Sequence, residues 1–442
     1  MARERKISMW ESIKNLLLRL FGVKAPQTES ENARANQYAR TYEDIGGINF
    51  TAIFAARLAT LAVTDGTITA AGDNARAAYL DSVLQAQIMT YAQPIVSAAL
   101  GYGGIALVPY MANDKIYIDR VPQNRFFAIE QRGEDITRAI LLADFIVRDS
   151  KRYARYAEYE LSGGVCYIRN RATVNDSPCA LDALPEWAGV PEEVAVGGCN
   201  RPLFGFMRCP QDNRRPDSLA GVPITYGCDA LLKAIADAMG EETTEYANKR
   251  AFIAADVTMF DKDDKLPKSG VFKTFIGQGG DDLWHEYSPE IRYAAYTSRV
   301  QELFSRLEKA VGTSRGILTA PEPQATATAV RQAQHDTWAM VGNIRRAAER
   351  AIEDTMYAVN VLCNYYGITP MGDYTLAFDW DNSMIEDTAA TWQQMKDARS
   401  MGIRSKAEAR AWLTGETIEE AQAAIDEIEA SEPVISDLIG NA

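Results

Sequence analysis

Apolar residues recur at helical spacing near the start of the chain. Ile13, Leu16, Leu17, Leu20 and Phe21 fall at i, i+3, i+4, i+7 and i+8, one stripe of an amphipathic helix. Ser8 and Glu11 form an S-x-x-E capping pair ahead of it, and Gly22 can end it. The stripe predicts a helix packed on the rest of the protein, with a membrane-surface helix as the other use of such a face. From Asn49 to Leu100 the pattern stays helical and Ala-rich. It then changes to short β-type runs: Ile105–Tyr110, Lys115–Val121, Arg125–Ile129, Ala139–Val147 and Tyr153–Leu161. Turn residues such as Asn113-Asp114 and Arg132-Gly133 separate them. An antiparallel sheet beside helices is an α+β arrangement. Residues 170–222, rich in Pro, Gly and Asp, read as irregular structure.

At Asp229 the helical period returns, with Leu232, Ile235, Met239 and Tyr246 on one face as far as Arg250. A small β-type insert follows, with strands Phe252–Phe260 and Val271–Ile276 and turns at Asp261-Lys-Asp-Asp and Gly277-Gln-Gly-Gly. Ser288-Pro289 opens the next helix, with Pro at its first position. Its stripe is Tyr296, Val300, Leu303, Leu307 and Val311, and Gly312 closes it. Residues 313–324 form a loop with Gly316, Pro321 and Pro323. From Ala325 to Tyr366 no proline appears, and Val341, Ile344, Ala348, Ile352, Met356, Val359 and Leu362 step by three or four. That predicts one helix of about 40 residues, about 60 Å long, with Gly342 the place for a bend and Gly367 its end. Tyr374–Asp379 reads as a strand. Three S/T-x-x-E boxes, Ser383/Glu386, Ser405/Glu408 and Thr417/Glu420, predict three short closing helices.

Composition narrows the function classes. The 442 residues carry a net charge of −14, which disfavours a surface that grips phosphates throughout. From Glu416 onward the chain is acidic without a basic residue. Six cysteines make no disulfide scaffold; Cys166, Cys179, Cys199 and Cys209 lack paired C-x-x-C knuckles and read as reduced thiols. Residues 82–113 are uncharged, but Gln85, Gln87, Gln93, Pro94 and Ser97 interrupt them, so a buried helix and strand fit better than a membrane span. No secretory signal is visible. Gly101-Tyr-Gly-Gly-Ile-Ala matches the dinucleotide fingerprint in letters only. The order here is helix then strand, the reverse of what the pyrophosphate needs, and Gly101 reads as a helix C-cap. No phosphate-binding P-loop occurs. His335-Asp336 reads as a polar helix face, Asp379 and Asp381 as the end of a strand, and Asp261, Asp263 and Asp264 as a surface turn. No cofactor, metal or catalytic set emerges.

The order of elements is the strongest signal. An α+β domain is followed by a helix, a small β insert, a second helix, a loop, a very long helix, one returning strand and a helical end. In this the chain resembles the bacteriophage portal proteins of long-tailed phages. Leu303-Phe-Ser-Arg-Leu-Glu-Lys-Ala-Val-Gly resembles the family's second stem helix, and residues 313–324 fall at its tunnel loop. Ala327-Thr-Ala-Val-Arg-Gln-Ala falls at the start of its long helix. Phe378-Asp-Trp-Asp-Asn-Ser and Ser405-Lys-Ala-Glu-Ala resemble its return strand and crown.

The resemblance implies a division into residues 1–222 (N-terminal helix and α+β wing), 223–250 (first stem helix), 251–288 (clip), 289–312 (second stem helix), 313–324 (tunnel loop), 325–382 (long helix and return strand) and 383–442 (crown and acidic C-terminus). It implies a ring, expected to be a dodecamer, at one capsid vertex of the virion, assembled in the host bacterial cytoplasm. Double-stranded DNA would pass through its channel, with no bond chemistry in the portal itself. Implied partners are the terminase large subunit, a head–tail adaptor, and the major capsid and scaffolding proteins, with no membrane. Thr313, Ser314, Arg315 and Gly316 are the expected channel residues, and Asp261, Lys262, Asp263, Asp264 and Lys265 the expected docking turn. Twelve copies would carry 12 × −14 = −168 charges, a wall that repels phosphates over about 8 Å at physiological salt. An enzyme of unknown type on an α+β fold and a membrane-peripheral scaffold are the alternatives.

Overall fold

The computed structural model describes residues 9–23, 48–64, 66–133, 135–215, 218–248, 252–256, 272–275, 284–287, 293–320, 327–380, 396–414 and 417–431. The chain divides into two compact units, Met1–Pro323 with Ala333–Trp380, and Gln324–Gln332 with Asp381–Ala442. About half of the described residues are helical and about a quarter are in strands, so the α+β class holds.

In the first unit, helix α1 (Met9–Phe21) lays Leu16, Leu17, Leu20 and Phe21 against Phe127, Ile140, Ala154 and Tyr156. From Leu16 onward the predicted stripe therefore covers protein; its capping pair begins at Ser8, outside the described residues. Next come α2 (Phe50–Val63), strand β1 (Thr67–Ala71) and α3 (Ala75–Val83). A π turn (Leu84–Ile88) and a 3-10 turn (Met89–Tyr91) then lead into α4 (Ala92–Tyr102). The expected continuous helical stretch is thus interrupted twice. β1 is a short Thr-Ile-Thr-Ala-Ala strand, and Pro94 sits in the first turn of α4, where its missing N–H costs no helical bond. The C-cap is Gly103 at φ +93°, not Gly101, which lies buried in the last helical turn. A Cβ at Gly103 would meet the backbone of Gly221 and Val222 at 2.8–2.9 Å, so close approach as well as the left-handed turn demands glycine.

The strands follow as β2 (Gly104–Ala112), β3 (Lys115–Pro122), β4 (Phe126–Arg132), β5 (Asp135–Arg148), β6 (Lys151–Ser162), β7 (Val165–Val174), β8 (Ser177–Cys179), β9 (Glu193–Gly197) and β10 (Gly205–Arg208). Four hairpins among them turn on two residues, Asn113-Asp114, Asp149-Ser150, Gly163-Gly164 and Asn175-Asp176. Each pair has positive φ at both positions, the conformation that matches the twist of the flanking strands. The large antiparallel sheet has the order β4-β5-β6-β7-β8, with β9 on β7; a smaller sheet has the order β10-β2-β3. Residues 170–222, expected to be irregular, thus carry the second half of β7 and three more strands.

The chain then enters α5 (Asp229–Asn248), the short strands β11 (Phe252–Asp256), β12 (Phe272–Phe275) and β13 (Trp284–Tyr287), and α6 (Tyr293–Val311). β12 pairs parallel and β13 antiparallel with β11, one strand more than the sequence suggested. Both predicted turns of this insert lie outside the described residues. Helix α7 (Ala327–Tyr366) runs 40 residues and passes through Gly342 without a break. All seven residues of its predicted stripe are buried, packed in the main core with α2, α4 and the smaller sheet. Gly367 at φ +65° ends it, with Ile368 N–H donating to Cys363 O at 3.0 Å.

Strand β14 (Thr375–Asp379) returns to pair antiparallel with β1 across some three hundred residues of sequence. Arg76, 1% exposed, stitches the same region. It donates to Thr369 Oγ1 and O at 2.7 and 2.6 Å, and to Asn360 Oδ1 and O at 2.6 and 3.1 Å.

In the second unit, α8 (Lys406–Thr414) and α9 (Ile418–Ser431) open on the predicted boxes. Glu408 N–H donates to Ser405 Oγ at 3.1 Å while Ser405 N–H donates to Glu408 Oε2 at 2.7 Å. Thr417 and Glu420 repeat the exchange at 3.3 and 3.0 Å. The Ser383/Glu386 box lies outside the described residues.

Candidate functional site

The loop after α6 is built around a buried carboxylate. Glu308, one turn before the helix end, is fully buried between Phe304 and Val311 on the apolar side of α6. An isolated carboxylate there would be expensive to desolvate. The chain instead folds back over it. The N–H groups of Gly316, Ile317, Leu318 and Thr319 donate to its Oε1 at 3.2, 2.9, 2.7 and 3.2 Å, and Thr319 Oγ1 donates to Oε2 at 2.6 Å. Hydrogen bonds to an ionised acceptor are roughly twice as strong as neutral ones. Gly312 (φ +87°) and Gly316 (φ +125°) supply the two left-handed turns that let the backbone do this.

Thr313 and Ser314 complete the junction and are buried. Thr313 donates its N–H and its hydroxyl to Glu308 O at 2.9 and 3.1 Å. Ser314 N–H donates to Thr337 Oγ1 of α7 at 2.9 Å, and Thr337 N–H donates back to Ser314 Oγ at 3.4 Å. The loop is therefore bonded to α6 on one side and to α7 on the other. Arg315 and Gly316 are exposed, and Arg315 Nε donates to Ser305 Oγ at 3.1 Å, which lays its side chain along α6. Of the four expected channel residues, two face into the protein and two face out. Neither Glu308 nor Ser305 stands out in the sequence as a functional residue. The available signal was an acidic residue spaced i+4 from Phe304 and i−3 from Val311, a charge on an otherwise apolar face. The expected docking turn, residues 261–265, lies outside the described residues.

Elsewhere, a cleft of about 850 Å³ lies between the β4–β5 hairpin, the segment before β10 and α7. Its charged groups hold one another: Arg201 Nη1 meets Asp354 Oδ1 at 2.8 Å, and Arg350 Nη2 meets Asp135 Oδ1 at 2.5 Å. Burial pushes the Asp354 carboxyl up, with Arg201 opposing. His335 and Asp336 stand 3.5 Å apart with both side chains largely in solvent. Burial also pushes the thiols of Cys166 and Cys209 up to about 12, so these cysteines are packing residues. Among the described residues, no three His, Cys, Asp or Glu side chains converge as metal ligands, and no helix is long and apolar enough to cross a membrane.

A comparison with curated proteins returns no match. The sequence model of the family described as phage portal protein, SPP1 Gp6-like, matches residues 47–433. That span takes in the α+β sheets, the two helices flanking the β insert, the loop over Glu308, the 40-residue helix and the returning strand. On this match, covering most of its length, the chain belongs to the phage portal protein family.

Proposed function

We propose that this portal protein forms a closed ring, expected to be a dodecamer, whose channel carries double-stranded DNA during packaging and ejection. The terminase large subunit and a head–tail adaptor would dock on the β insert at Asp261, Lys262, Asp263, Asp264 and Lys265. The coarser role follows from the family: a structural component of the phage virion that takes part in DNA packaging. Support for the ring comes from the pair α5 and α6. Near the core they bury Leu232, Ile235, Leu307 and Val311, but farther along the same pair Tyr246 is 46% and Tyr293 57% exposed. A helix pair that keeps aromatic surface uncovered in one chain is suited to neighbours that cover it, and cyclic symmetry is the usual way to supply them. The exposed Arg315 is the cation we place nearest to DNA.

Electron microscopy of the purified protein should show rings with a central hole; a monodisperse monomer across concentrations and salts would refute the ring. In such rings, Arg315→Glu should leave assembly intact and reduce packaged or retained DNA, whereas normal DNA length and retention would reduce Arg315 to a surface partner of Ser305.

A further inference from the structure

We infer that Glu308 is the positioning residue of the channel loop: its carboxylate fixes residues 316–319 in place and thereby sets where Arg315 is presented. The inference rests on the channel reading of the loop. Four consecutive backbone N–H groups converge on one oxygen, and a hydroxyl takes the other. Successive amides turned inward in this way make a concave anion site, of the kind that elsewhere holds phosphate or sulfate groups. Here the protein fills that site with its own side chain. The occupant comes from α6, so the loop cannot shift relative to that helix without breaking several charge-assisted bonds together. The Ser314–Thr337 exchange adds a tie to α7. Residues 313–319 thus form a bracket between two helices, and Arg315 is its outward point.

A second consequence concerns adhesion. Amides engaged by Glu308 are not offered to passing phosphates, so the loop presents one side-chain cation and few backbone donors to DNA. This suits sliding more than gripping, because each phosphate contact adds salt-dependent affinity.

The test uses assembled rings of Glu308→Gln, which keeps size and one acceptor oxygen but removes the charge. Thr319→Val serves as the milder variant should the first fail to assemble, since it deletes only the hydroxyl bond to Oε2. Amide hydrogen exchange by mass spectrometry reads residues 316–319 directly, without DNA. We expect exchange there to rise at least tenfold in Glu308→Gln and less in Thr319→Val, with peptides from α2 and α4 unchanged, and Glu308→Asp to restore part of the protection. Wild-type exchange at 316–319 in the assembled variant overturns the inference. Packaged DNA length is then measured in the same variants. A changed length together with raised exchange supports positioning of a DNA-facing loop. Raised exchange with unchanged DNA length leaves the carboxylate as the loop's anchor and refutes the channel reading instead.

Discussion

Gly205 opens β10 at a point where the smaller sheet touches α7. A methyl group added there would lie 2.1 Å from Ala351 O and 2.1 Å from Thr355 Oγ1, with Thr355 N at 3.0 Å. Ordinary contact begins near 3.4 Å, so strand and helix would have to separate by about 3.4 − 2.1 = 1.3 Å. Two of the obstructing atoms belong to helix backbone, and Thr355 is fully buried with its hydroxyl already donating to Ala351 O at 2.6 Å. No flexible side chain can swing away to make room. Overpacking of this kind costs about 1–3 kcal/mol, and a gap of that size also forfeits a quarter or more of the dispersion energy of neighbours such as Leu203 and Met207. We expect Gly205→Ala to lose about 3 kcal/mol locally, which speeds opening of β10 by on the order of 100-fold. Hydrogen exchange of the peptide covering 203–209 reads this, with Gly197→Ala as control, because a Cβ at Gly197 meets nothing within 4 Å. Equal exchange in the two variants would show that β10 does not press on α7 and would refute the packing described here.

Two further predictions concern the outer layer. Burial, with Asp176 nearby, pushes the Tyr156 hydroxyl up to about 12, and Tyr156 lies under α1. Its folded value is above its unfolded value, so its contribution is full below about pH 10 and is lost as pH rises toward about 12, on the order of 2–3 kcal/mol. Exchange of residues 15–21 should therefore rise steeply over that range and less steeply in Tyr156→Phe; identical profiles would contradict the burial. Leu17→Ala removes a fully buried side chain at a site where Leu→Ala changes cost about 2–5 kcal/mol. It should release α1 to proteolysis while the main core, which α1 does not enter, keeps its urea midpoint.

Local chemistry explains what the sequence made legible. Asn113-Asp114 was readable as a turn because few residues tolerate two successive positive φ angles, and the apolar alternation on either side set the strands. The 40-residue helix was readable because no proline interrupts a stripe that stays in phase from Val341 to Leu362. What was missed is non-local. β1 has five residues and draws its stability from a partner far along the chain. β8 and β9 sit among Pro, Gly and Asp and exist because β7 offers both of them an edge. Gly103 rather than Gly101 became the cap because the backbone at Gly221 presses there, a contact no window of sequence contains. Glu308 is a single acidic letter beside the stripe of α6, and only the returning loop makes it an internal ligand.

The pairing of β1 with β14 also has a temporal meaning. At synthesis rates of about 5–20 residues per second, the roughly 300 residues between the two strands take about 15–60 s to emerge. Through that interval β1 has an open edge, and Arg76 lacks the acceptors that Asn360 and Thr369 later provide. A growing chain therefore holds its first layer unfinished until the ribosome has passed Asp379. Fragments that stop before β14 would lack the strand that pairs with β1 and the acceptors that accompany the burial of Arg76, and an unpaired strand edge favours association with other chains. The first unit is therefore complete only in chains that extend through β14.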